Sequence, residues 1–253
     1  MGDNMRNKVV LVIGGGGGSG KITSIKLAAE GAKVVVADLK TEDARSTVNQ
    51  ITNDGGEATA ILCDVRSEEN VIAAVDCAVN TYGRLDCAIN IVGTNTDFTD
   101  ITGVSSENFD LMFEINSRGM YYGMKYEILA MQKTGGGSIV NMASAGALFG
   151  QRKQGVYNAT KFSVVGMTKA AALDFAKEGI RINCVCPGPM LSEGMKAMLA
   201  KDPHFADQYL VDVPMDRLIG QEEVAEAFVW LSSDKASAIT GIALSVDGGM
   251  AAD

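Results

Sequence analysis

Lys8 to Ile13 is a short apolar run rich in valine, and Gly14-Gly15-Gly16-Gly17-Gly18-Ser19-Gly20 follows it directly. No other stretch restricts the fold so strongly. A Val/Ile run of this length reads as a strand buried on both faces. A near-continuous run of glycine cannot extend that strand and turns the chain instead. Lys21 to Glu30 then carries Ile22, Ile25, Leu27 and Ala29 on helical spacing, with Gly31 as the stop. Lys33 to Ala37 is a second Val-rich run and ends in Asp38. Strand, turn, helix and strand in this order make a unit whose strands run parallel. Its first turn suits one kind of ligand. Glycines let the backbone approach a pyrophosphate, and the helix N-terminus aims unpaired N–H groups at it. Asp38 is placed to accept hydrogen bonds from a ribose diol, and its charge opposes a 2′-phosphate. NAD is therefore expected over NADP; Lys40 is nearby, but no arginine follows Asp38 directly. Taken alone, the turn could equally be a glycine loop without a ligand.

The alternation continues to the end of the chain. Helices are expected at Ala44–Ile51, Glu68–Tyr82, Phe109–Met131, Val156–Lys177 and Glu222–Ser232. Strands are expected at Glu57–Leu62, Asp86–Ile91, Ser138–Met142, Arg181–Cys186 and Ile242–Val246. This pattern predicts one α/β domain over residues 1–253, a doubly wound parallel sheet (Rossmann-like) with helices on both faces. Ligands of such sheets bind beyond the carboxyl ends of the strands. Ser19, Asp38, Asp64, Asn90, Ser144 and Pro187 all fall at those ends.

Composition removes several other classes. A formal net charge of −9 with no Lys/Arg-rich run argues against nucleic acid. No apolar run nears the ~20 residues of a membrane span. Met1 to Lys8 is polar, unlike a secretory leader, and Met1-Gly2 is followed by Arg6 where a myristoylation signal needs Ser or Thr. Cys63, Cys77, Cys87, Cys184 and Cys186 are odd in number and form no Cys-x-x-Cys. Cys184 and Cys186 share a strand face, and all five read as thiols in a reducing cytoplasm. His204 is the single histidine, so paired-His metal motifs are excluded and no metal site is expected. A Ser-His-Asp triad would have to use His204, which no motif supports.

Tyr157-Asn158-Ala159-Thr160-Lys161 carries the chemistry. Four residues apart on a helix, Tyr157 and Lys161 share a face. A phenol titrates near pH ~10, and a neighbouring ammonium is expected to draw it toward the working range. Alone, the pair could be a half-buried Tyr beside a solvated Lys.

Taken together, these motifs resemble the short-chain dehydrogenase/reductase family over nearly the whole chain. Gly14, Gly18 and Gly20 resemble its cofactor turn, and Asp64-Val65 its adenine-binding pair. Asn90 and Gly93 fall at its Asn-Asn-Ala-Gly strand end. Pro187-Gly188 resembles its nicotinamide-side turn, with Ser192 where a carboxamide-binding Thr often stands. Asn116, Ser144, Tyr157 and Lys161 match its catalytic four, and Ser144 precedes Tyr157 by thirteen residues. Departures are Ile13 for Thr, Ser19 for Ile or Leu, and Ile91-Val92 for Asn-Ala.

The resemblance implies hydride transfer with a nicotinamide, Tyr157 exchanging the proton and Ser144 holding the substrate oxygen. Lys161 would bond the nicotinamide ribose, and Asn116 would hold a water that links Lys161 to solvent. Residues 189–219, with Met190, Leu191, Met195, Met198, Leu199, Phe205, Tyr209 and Met215, resemble the family's substrate lid. With Leu148, Phe149 and the stretch from Thr94 to Phe98 they suggest a mostly apolar pocket, although each could equally be core or a subunit contact. Helices 109–131 and 156–177 pair subunits in the family, which implies a homotetramer or homodimer. The expected activity is NAD(H)-dependent interconversion of a lipophilic or alicyclic secondary alcohol and its ketone. A 3-oxoacyl thioester reductase and a non-catalytic NAD-binding scaffold are the competing readings.

Overall fold

The computed structural model describes residues 5–252; Met1-Gly2 and the rest of residues 1–4, part of the polar N-terminal reading, lie outside them, as does Asp253. The chain runs β1 (Val9–Ile13), α1 (Gly18–Ala29), β2 (Lys33–Asp38), α2 (Thr41–Asn53), β3 (Glu57–Leu62), α3 (Glu68–Tyr82) and β4 (Cys87–Asn90). It continues through α4 (Ser106–Phe113), α5 (Gly119–Gln132), β5 (Gly137–Met142), α6 (Gly155–Phe175) and β6 (Ile180–Pro187). Then come α7 (Glu193–Leu199), α8 (Asp207–Leu210), α9 (Gln221–Ser232) and β7 (Ala243–Val246).

The seven strands form one parallel sheet in the order β3-β2-β1-β4-β5-β6-β7. After β1 the chain moves outward in one direction, and after β3 it crosses to the other side of β1. The strand order therefore reverses between β1 and β4, and a crevice opens there beyond the strand ends.

Strand side chains alternate, so each strand feeds two cores. Val9, Leu11 and Ile13 pack with Val71 of α3, Met124 and Ile128 of α5 and Val164 of α6. Val10 and Val12 pack with Leu27 of α1, Ile51 of α2 and Phe228 of α9. Cys184 and Cys186 both face the first of these cores. Each large side chain fully buried here contributes about 1.5–3 kcal/mol.

The elements depart from expectation in three places. α1 begins at Gly18, inside the glycine run, because the turn itself supplies the first helical residues. The expected single helix from Phe109 is two, joined by a π-turn at Glu114–Arg118 that centres on Asn116. Such wide turns occur often at functional sites. The stretch read as irregular contains α7 and α8, which lack the length to show a periodic pattern. Its ends meet: Ile219 N donates to the Pro189 carbonyl (2.9 Å) and Leu191 N to the Ile219 carbonyl (2.9 Å), an isolated parallel bridge at Met190 and Ile219.

Candidate active site

Three cavities lie end to end above the carboxyl ends of the strands. The first, about 400 Å³, is lined by Gly14, Asp38, Asp64, Val65, Ile91 and Gly93 among others. The second, about 310 Å³, is lined by Gly18, Ser19, Gly93, Tyr157, Lys161 and Ser192 among others. These two share Gly17, Ile91, Val92 and Gly93. The third, about 620 Å³, lies under the 189–219 stretch and includes Ser144, Phe149, Pro187, Gly188, Met195 and Tyr209. It shares Asn95, Tyr157 and Ser192 with the second.

The glycine turn forms the floor of the first two cavities. Gly14 has φ +85° and Gly18 φ +52°, values that favour glycine. A Cβ on Gly14 would strike the Ile91 carbonyl, and one on Gly20 would strike the Gly14 carbonyl. A Cβ on Gly17 would meet open space. Gly17 caps α1 without a side-chain bond, and no acidic residue occupies the first helical turn. The first N–H groups of α1 thus face the trough uncapped, an arrangement that fits an anion. At its far end Asp38 accepts from Gly16 N (Oδ2, 2.9 Å) and from Lys40 N (Oδ1, 3.1 Å). These bonds hold the carboxylate at the rim.

Not every predicted residue aims its side chain into the trough. Asp64 is engaged by Arg66, whose Nη2 lies 2.6 Å from Oδ2. That bond holds the Asp64 carboxyl below its usual range. Val65 packs on the π-turn end of the helix pair, where a Cβ on Gly119 would come within 2.8 Å of it. Asn90 is turned into the sheet: its Nδ2 donates to Glu127 Oε2 (3.1 Å) and to Asn141 Oδ1 (3.0 Å). Asn141 Nδ2 continues the network to Thr168 Oγ1 (3.0 Å). Gly188 lies against Asp247, whose Cα would be 2.9 Å from an added Cβ. Ser192 caps α7, accepting from Met195 N (3.2 Å). Of the departures noted above, Ile13 is core, while Ser19, Ile91 and Val92 line the cavities.

The catalytic candidates do converge. Tyr157 and Lys161 stand one turn apart on α6, with Lys161 Nζ 5.9 Å from the Tyr157 ring centre. Lys161 Nζ donates to the Met142 carbonyl (3.2 Å). It also abuts Gly93, where an added Cβ would lie 2.8 Å from it. The Ser144 hydroxyl accepts from Gly146 N at 3.2 Å and lies near enough to Tyr157 to favour its ionised form. Asn116 does not bond its own helix. Its Oδ1 accepts from Thr94 N (2.7 Å), and its Nδ2 donates to the Thr94 carbonyl (2.8 Å) and to Thr160 Oγ1 (3.0 Å). The π-turn swings Asn116 outward, so that it pins the loop after β4 to α6.

One electrostatic expectation is corrected. Burial raises the Tyr157 phenol above its ordinary value, and the Ser144 hydroxyl opposes this without reversing it. Lys161 is buried as well, and desolvation lowers its ammonium to about 8. Loss of water is the largest influence on both groups.

The pocket expectation is also adjusted. Among the apolar residues of 189–219, Met195 and Tyr209 line the third cavity and Met190 the second, whereas Met198 and Met215 are exposed. Phe98 and Phe205 each flank Tyr209 at 5.9 Å. Beside this apolar wall the cavity carries polar residues that the reading missed, notably Gln151, Arg152, Gln154 and Gln208. Glu127 was missed too, although an acid on the apolar stripe of Met120, Met124, Ile128 and Met131 was visible in the sequence. A further cleft of about 460 Å³, beside Lys8, Arg84 and Arg181, opens at the amino ends of the strands, away from the glycine turn.

A doubly wound parallel sheet with a glycine cradle at its switch point is the architecture of dinucleotide-binding proteins. A family model described as "Enoyl-(Acyl carrier protein) reductase" matches residues 17–251. Cyclohexanol dehydrogenase of Acinetobacter sp. (strain SE19) is 39% identical over 252 residues, covering 98% of this chain and 96% of the relative. The 2,5-dichloro-2,5-cyclohexadiene-1,4-diol dehydrogenase of Sphingobium indicum is 39% identical over 254 residues, covering 98% and 99%. A crystal structure of levodione reductase superposes with a TM-score of 0.92 at 31% identity, covering 98% of each chain. The chain belongs to the short-chain dehydrogenase/reductase family of oxidoreductases. Members of this family use nicotinamide cofactors.

Proposed function

We propose that the chain is an NAD(H)-dependent oxidoreductase that interconverts an alicyclic secondary alcohol and its ketone, with Tyr157 as the proton exchanger. The observation that carries this reading is the run of three cavities, in which Tyr157 stands where the cavity holding Lys161 meets the cavity under residues 189–219. The names of the cyclohexanol and cyclohexadienediol dehydrogenases support a ring alcohol.

When bound, a nicotinamide supplies the hydride acceptor or donor. The chain's own residues do the rest. Asp38 at the rim favours a free ribose diol over a 2′-phosphate, and the first turn of α1 takes the pyrophosphate, supported by Gly14, Gly18, Ser19 and Gly20. Asp64, Val65 and Gly93 line the adenine side, braced from within the sheet by Asn90; Pro187, Gly188 and Ser192 shape the nicotinamide side. Ser144 donates to the substrate oxygen and holds it within reach of Tyr157. In ketone reduction Tyr157, a phenol at neutral pH, donates its proton to the oxygen gaining negative charge. In alcohol oxidation its phenolate form takes the hydroxyl proton, so oxidation gains as pH rises. Lys161 bonds the ribose hydroxyls, and Asn116 holds the loop that lines the site. Residues 189–219 act as the lid of a single catalytic domain.

Tyr157→Phe tests the reading. Turnover of cyclohexanol with NAD should fall by about 10²–10⁴, while NADH binding, followed by fluorescence, persists. Full activity in that variant would end the assignment. The description of the matched family model favours an acyl thioester as the second reading; a preference for NADPH and a 3-oxoacyl thioester would select it. An NAD-binding scaffold is selected if no alcohol in a panel turns over. Exposed Phe109, Tyr121, Leu129, Phe162 and Leu173 on α4 to α6 support a homotetramer or homodimer, which light scattering checks. Burial of Cys63, Cys87, Cys184 and Cys186 as free thiols agrees with a reducing, cytoplasmic setting. Among the described residues no helix is long and apolar enough to cross a membrane.

A further inference from the structure

We propose that Asn95 and Gln154 form a recognition pair for a second hydroxyl on the substrate ring, so that the preferred substrate is an alicyclic diol or hydroxyketone. The inference rests on the function proposed above and narrows its substrate class.

Asn95 Nδ2 donates to Gln154 Oε1 at 3.1 Å. That bond orients both carboxamides. Asn95 Oδ1 is left as an acceptor and Gln154 Nε2 as a donor, and neither has a hydrogen-bond partner among the described residues. Two free atoms of opposite character thus sit at the ends of one amide pair. A hydroxyl both gives and takes a hydrogen bond and can satisfy both; a ketone oxygen satisfies only the donor, and a methylene neither.

The pair stands beside the reacting group. Both residues line the cavity that holds Ser144 and Tyr157, and Asn95, like Tyr157, also lines the cavity of Lys161. Neither amide has another duty. Gln154 precedes α6 at the N-cap position but makes no capping bond with its side chain. Phe98, Phe149, Met195 and Tyr209, which also line this cavity, offer apolar surface that suits the face of a carbocycle. Among the polar groups of the cavity, Ser144 and Tyr157 serve the carbon that reacts and Asn95 with Gln154 a second oxygen, while Gln151, Arg152 and Gln208 also line it.

The test measures kcat/KM of the full chain with NAD on cyclohexanol and on the cis and trans isomers of 1,2-, 1,3- and 1,4-cyclohexanediol. At least one diol should exceed cyclohexanol by about tenfold, the scale of one well-made hydrogen-bonded contact. Gln154→Met and Asn95→Leu should each bring that ratio close to one, through a rise in KM for the diol. The inference is overturned if cyclohexanol equals or exceeds every diol on the wild-type chain, or if the ratio survives in both variants. The wild-type comparison decides even where a variant fails to fold. Absence of turnover on every compound, cyclohexanol included, strikes instead at the function proposed above, and this inference falls with it.

Discussion

Glu127 makes the energetics of the core accessible to measurement. It is fully buried on α5, Asn90 donates to its Oε2 at 3.1 Å, and its Oε1 has no partner among the described residues. Burial raises its carboxyl from 4.5 to about 7, with the Asn90 bond the smaller, opposing influence. Over that interval the folded chain keeps a proton that the unfolded chain has lost. Stability from this group is therefore fully present at low pH, declines as pH rises from about 4.5, and levels off above about 7. The gap corresponds to about 3 kcal/mol. Glu127→Gln keeps the shape and removes the ionisation. Any change in hydrogen bonding that it causes is a constant offset, because an amide does not titrate here. Urea unfolding followed by circular dichroism at pH 5 and pH 8, at one protein concentration, supplies the comparison. Between those pH values the variant should gain about 2–3 kcal/mol relative to wild type, part of the loss having occurred below pH 5. Carboxyls held low by partners, such as Asp64 and Glu223, cancel in the difference. Curves for the two proteins that stay parallel from pH 5 to pH 8 would refute the reasoning.

Three further outcomes follow from the same geometry. Asp38→Asn retains an acceptor for Gly16 N but loses the charge; the ratio of kcat/KM with NAD to that with NADP should drop at least about tenfold, in line with the loss of one like-charge repulsion. Gly20→Ala drives a methyl into the Gly14 carbonyl; thermal unfolding should register a loss of about 1–3 kcal/mol, and NADH titration weaker binding. Phe228→Ala empties a fully buried position under α9, on the sheet face that bears α1 and α2; it should cost about 3–5 kcal/mol in denaturant unfolding while cofactor preference stays unchanged.

The sheet was legible because its strands carry continuous Val/Ile runs between helices of clear spacing, and the glycine turn could only lie at the first bend. The positions of Tyr157, Lys161 and Ser144 followed from their element ends. The rest depended on neighbours distant in sequence. Asn90 looked like a strand-tip residue facing a ligand, but Glu127, 37 residues away, draws its amide into the core. Asp64 is diverted by Arg66 two residues on. A polar side chain has several possible partners, and spacing does not say which one wins. The π-turn at Asn116 was hidden for a related reason: one extra residue in a helix shifts the apolar pattern too little to register. The direction of the Tyr157 shift was misjudged because attraction between charges is visible in a sequence, whereas the loss of water around both groups is not.

The two ends of the segment above the third cavity are tied to each other by the pairing of Met190 with Ile219, and Met215 N donates to the Gly248 carbonyl beyond β7. Joining the ends of a loop depends only weakly on its length, about 0.6 kcal/mol for each doubling. Residues can therefore be spliced in or trimmed out between those two anchors with little penalty to the strands below. An engineer seeking a new ring size has a region to rebuild between Met195 and Met215, provided Met190 and Ser192, which line the second cavity, are kept.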